Sequence, residues 1–117
     1  MALDVHAGKS EAIASQRKRW AFFDEYVHAA LIGKINRLSP TNSRSITVSC
    51  CPLLNRLQDF YSDCRYDLDE LEPLREEIQA IKPEFTSDRR VITQLEMFEK
   101  ACRDALNGNL NLYVFAD

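Results

Sequence analysis

Three glycines and four prolines in 117 residues leave few places where the chain must turn sharply. That poverty argues against many short strands joined by tight turns and favours long helices. No run of about 20 apolar residues occurs, so no membrane-spanning helix is expected. Positive charge is not in excess either. The formal net charge of −3 argues against broad attraction to nucleic acid or an anionic membrane, while leaving room for a local basic patch. The opening residues lack the basic flank and apolar stretch of an export signal, and a cytoplasmic compartment is the expectation.

Motifs for metal and cofactor chemistry are missing as well. The cysteines are Cys50, Cys51, Cys64 and Cys102, and neither they nor His6 and His28 form the closely spaced ligand pairs of a zinc site. Without an export signal they read as reduced, buried, small hydrophobes. Asp63, Asp67, Asp69, Glu70 and Glu72 could supply oxygen ligands to Mg²⁺ or Ca²⁺, but they lack the glycine and frame of a calcium loop. They read better as a solvated, helix-capping acidic face. Three scattered glycines cannot build a phosphate loop. A thiol and a base, such as Cys51 or Cys64 with His28, would have to meet in three dimensions. No metal, no cofactor and no catalytic residue are therefore expected, and the chain reads as a non-enzyme.

What remains is a globular composition, 45% hydrophobic and 28% charged, sufficient for one core. The reading is a flexible N-terminus over 1–9 followed by a single helical domain over 10–117. Ile13, Trp20, Phe23, Val27, Leu31 and Leu38 recur at helical spacing, and Pro40 closes that first helix. Residues 39–45 have loop composition, and 46–50 alternate like a short strand. Pro52 can open a second helix carrying Leu53, Leu57, Phe60, Tyr61 and Cys64. Asp67 and Glu70 suggest a capping arrangement before Leu71, Leu74, Ile78 and Ile81, with Pro73 either kinking a helix or starting one. Thr86, Ser87 and Asp88 offer caps for a last helix whose core face is Val91, Leu95, Phe98, Cys102 and Leu106. Gly108 is placed to close it in a left-handed conformation. The tail, 110–115, alternates again. The expected fold class is mostly α, a compact bundle of four to five helices with room for a small two-stranded β ribbon made by 46–50 and 110–115.

Function is read from surfaces. The run from Phe22 to Ile32 is apolar almost all round, as in a central helix or one shared with another chain. Phe22, Tyr26 and Ala29, with the acidic residues Asp63, Asp67, Asp69 and Glu70, are the candidate partner-binding residues. The expected role is non-enzymatic protein binding by a small bacterial or phage accessory factor of inhibitor, immunity or chaperone/adaptor type, able to form a homodimer. The alternative is a nucleic-acid-associated regulator using Arg17, Lys18, Arg19, Arg89 and Arg90, where cations flank the aromatic Trp20.

Overall fold

The computed structural model describes residues 2–39 and 50–116, which fold as an α+β sandwich instead of a helical bundle. Among the described residues the strands are β1 (Ala2–Gly8), β2 (Ala21–Asp24), β3 (Cys64–Tyr66) and β4 (Asn111–Ala116). The helices are α1 (Glu11–Ser15), α2 (Glu25–Leu38), α3 (Leu71–Ile81) and α4 (Arg89–Gly108). All strand pairs are antiparallel, and the order across the sheet is β2-β1-β4-β3. None of these helices is long and apolar enough to cross a membrane.

The stretch read as a flexible N-terminus is thus an inner strand. Leu3, Val5 and Ala7 of β1 face the core and are essentially inaccessible, while Asp4 and His6 point to the opposite face. Alternation of this kind is what a sheet covered on one side imposes. Pairing with β4, in the register Val5↔Val114, holds β1 along its length. The tail is a strand as expected, but its partners are β1 and β3. The expected strand partner 46–50 lies outside the described residues except for Cys50.

The first expected helix is interrupted. α1 is a single turn, capped where the Ser10 hydroxyl accepts from Ile13 N–H at 3.3 Å. The chain then extends, Trp20 N–H donates to the Val5 carbonyl at 2.8 Å, and 21–24 pair with β1. Cross-strand pairing of aromatic Phe22 and Phe23 has overridden their helical spacing. Helical geometry resumes at Glu25, where the Asp24 carboxylate accepts from Val27 N–H at 2.9 Å. The second expected helix is reduced to a 3₁₀ turn, Leu54–Leu57. Beyond it Asp59 accepts from Tyr61 N–H at 2.9 Å and from the Ser62 hydroxyl at 2.7 Å, a local bonding pattern that competes with helix.

The later chain follows its pattern. Glu70 accepts from Asp67 N–H at 3.0 Å ahead of α3, and Pro73 falls in the first turn, where its missing N–H leaves no bond unmade. Asp88 is the cap of α4. The left-handed closing residue is Asn109 (φ 54°, ψ 46°), not Gly108, since asparagine tolerates this conformation second only to glycine.

One hydrophobic cluster lies between the sheet and α2, α3 and α4. Phe98 of α4 is its centre, edge-on to Phe23 at 5.6 Å and near Tyr66 at 6.2 Å. Of the apolar residues read at helical spacing, Phe23, Val27, Leu57, Leu95 and Phe98 are buried, whereas Trp20 and Phe60 are half-buried at its rim. α1 sits on the outer face of the sheet, where Ala14 is pressed against Gly8.

Candidate functional site

The fold separates the two groups of expected partner-binding residues onto opposite edges of the sheet. Asp63, Asp67, Asp69 and Glu70 lie along the β3 edge, and most have structural partners. Asp63 accepts from Ala116 N–H at 2.7 Å and Arg65 pairs with Asp67 at 2.9 Å. Arg56 grips both oxygens of Glu70, so the Glu70 carboxyl is held below its ordinary range, chiefly by that guanidinium and then by Asp67 N–H. The carboxylates of Asp67, Asp69 and Glu70 lie within 4.8 Å of one another, but two of the three are occupied by arginines and by chain capping.

A cavity of about 600 Å³ opens beside them on the outer face, with Tyr113 and Phe115 as its floor and Lys9, Glu11, Asp63 and Arg65 on its walls. Their rings stack at 6.2 Å, and His6 meets Phe115 edge-on at 5.4 Å. Cys64 also lines this cavity, but burial pushes its thiol up to about 11, and a protonated thiol is a poor nucleophile. His28 is committed elsewhere. Its Nε2 bonds the Leu57 carbonyl, and its ring packs on Phe60 at 4.7 Å.

Phe22, Tyr26, Arg89 and Arg90 meet at the other edge, where β2 runs alongside α4. Arg90 lies over the Tyr26 ring at 4.3 Å and pairs with Asp24 at 2.7 Å. Tyr26, half exposed, donates its hydroxyl to Asp88 at 2.8 Å, and that bond with the Asp88 charge raises the phenol above its ordinary range. Arg19 repeats the motif, lying over Phe22 at 4.4 Å and pairing with Asp4 at 3.2 Å. Arg19 and Arg90 thus each contact an aromatic face and a carboxylate. Ala29 is exposed on α2, outside the concavities of this edge.

The 17–24 segment runs beside α4, which extends the edge beyond the residues read from sequence. One concavity, about 360 Å³, is lined by Phe22, Arg89, Arg90 and Gln94, and the next, about 410 Å³, by Arg17, Lys18, Arg19, Trp20 and Met97. A third, about 300 Å³, adds Lys100, Arg103, Asp104 and Asn107 on the far side of Trp20. Seven cations thus share one edge of a chain whose net charge is −3, against Asp24 and Asp104 in the same walls. Lys100 and Arg103 had a visible signal, their place on the polar face of α4. What sequence could not show is that Arg17, Lys18 and Arg19 lie beside that face.

One backbone donor of the β2 edge is already taken: Phe22 N–H donates to the Gln94 side-chain carbonyl at 2.8 Å. Comparison of the chain with known protein families, with characterised proteins and with solved structures finds no match.

Proposed function

We propose that this is a cytoplasmic, non-enzymatic protein-binding module whose contact surface is the β2/α4 edge and whose partner presents an acidic segment. The observation that carries the reading is the pair of stacked arginines, Arg19 on Phe22 and Arg90 on Tyr26, set in a basic rim with half-buried Trp20. Arginine, tyrosine and tryptophan dominate binding energy at protein interfaces. The surrounding cations supply complementarity and speed of encounter with an anionic partner. The role fits a small accessory factor of inhibitor or adaptor type. The acidic β3 edge supports the reading less, because its carboxylates already serve the fold.

Nucleic acid is the second reading, favoured by one observation: Arg17, Lys18, Arg19, Arg89 and Arg90 lie on one edge. Against it, the Phe22 and Tyr26 rings each carry a guanidinium on one face, which leaves less room for the base stacking that single-strand binders use.

Fluorescence anisotropy with an acidic peptide and a single-stranded oligonucleotide distinguishes the two. The protein reading expects peptide binding that weakens at least tenfold in both Tyr26→Ala and Arg103→Glu. A steep loss of oligonucleotide affinity with salt, indifferent to Tyr26→Ala, supports the second reading. Binding of neither probe removes this edge as the site. Sedimentation velocity at micromolar concentration tests the homodimer: a dimer that Phe22→Glu dissociates without unfolding places the same edge between two copies.

A further inference from the structure

We propose that Cys50 and Cys51 form a two-thiol chelate for a soft, thiophilic trivalent centre of the arsenic(III) type. Their sulfurs lie 3.5 Å apart, and the two thiols differ in access: Cys50 is exposed and Cys51 is buried against the core. Both are anchored from either side. Cys50 N–H donates to the Ser39 hydroxyl at 3.1 Å, and that hydroxyl donates to the Ile35 carbonyl at 2.6 Å at the end of α2. Beyond Cys51, the Glu77 carboxylate accepts from Leu53 N–H at 3.0 Å and from Leu54 N–H at 2.9 Å.

The spacing favours a bridging atom over a direct bond between the sulfurs. Neighbouring Cα atoms are about 3.8 Å apart, below the roughly 4.4 Å at which disulfides begin to be unstrained. A disulfide would also pull the sulfurs to about 2.05 Å. Two sulfurs 3.5 Å apart, each about 2.3 Å from a shared atom, subtend about 100° there. That is close to the bond angle of a pyramidal trivalent centre. Cys51 is buried beside Cys50, so each thiol gives up its proton to a leaving hydroxide as its sulfur bonds the centre.

With a monosubstituted arsenic(III) dihydroxide the step balances. Two S–As bonds form, two As–O bonds break, and the two thiol protons leave with the hydroxides as two waters. No atom is oxidised or reduced. Cys50, at the surface, forms the first bond, and Cys51 closes the ring.

The probe is phenylarsine oxide, with the adduct read by mass spectrometry of the folded protein under native conditions. One phenylarsenic per chain is expected, released by an excess of dithiol and resistant to the same excess of monothiol. Cys50→Ser, an exposed position whose folding is checked by circular dichroism, is expected to lose the adduct, and Cys64→Ser to keep it. An adduct that survives in Cys50→Ser, disappears in Cys64→Ser, or is stripped equally by monothiol overturns the proposal.

Discussion

The same substitution, glycine to alanine, should have opposite effects at two positions of this chain. A Cβ at Gly8 would lie 2.7–2.8 Å from the backbone nitrogen, Cα and Cβ of Ala14. Its φ is not positive, so space alone decides the outcome. The obstacle is mostly backbone and cannot swing aside. Either α1 lifts from the outer face of the sheet or β1 shifts against β4, and overpacking of this kind costs about 1–3 kcal/mol. At Gly33, in the middle of α2, an added Cβ meets nothing within 4 Å. There alanine removes conformational freedom from the unfolded chain and adds helix propensity, a gain of about 0.4–1 kcal/mol. Urea unfolding followed by far-ultraviolet circular dichroism and by the single tryptophan, Trp20, measures both. With a slope of about 1–3 kcal/mol per molar urea, the midpoint of Gly8→Ala should fall by about 1 M and that of Gly33→Ala should rise by a few tenths. A neutral Gly8→Ala, or a Gly33→Ala that loses stability, would refute the placement of α1 on β1 or the open face of α2 respectively.

Two further outcomes are expected. Phe98→Ala should lose about 3–5 kcal/mol by the same urea assay, because it removes a fully buried ring and leaves a cavity beside Phe23 and Tyr66; a loss under about 1 kcal/mol would contradict its central place. Glu70 is held below its ordinary pKa by Arg56 and Asp67 N–H, so its contribution is present above the unfolded carboxyl range and disappears as pH falls through the folded value. Wild type should therefore lose more stability between pH 6 and pH 3 than Glu70→Gln, compared by thermal melts at each pH, and parallel curves would remove the linkage.

The parts legible in sequence were those where local pattern and tertiary role agree. α4 has a 3.6-residue stripe from Val91 to Ala105 and a true cap at Asp88, and α3 follows Glu70 as its acids suggest. The alternation of Leu3, Val5 and Ala7 was equally present, but its meaning depends on β4, more than 100 residues away. β2 was hidden because Phe23 and Val27 keep a helical interval across a real boundary, with Asp24 between them as the overlooked cap. The basic edge was half legible for a similar reason: its two clusters can be read separately, but their union depends on the path of 17–24 beside α4.

The pairing of β1 with β4 also governs the order in which this molecule can be made. The second and third strands of the sheet come from opposite ends of the described chain, with Leu3 facing Ala116 and Gly8 facing Asn111. During synthesis β1 is made before its inner neighbour β4, and about 100 residues must be added between the two. Closing so long a loop is slow, although its entropic cost grows only with the logarithm of its length. α3 and α4 can pair beforehand, but the apolar side of β1 stays uncovered at its β4 edge. A ribosome stalled before residue 111 would therefore hold a sheet without β4, with apolar surface and an unpaired edge of β1 exposed to wrong partners.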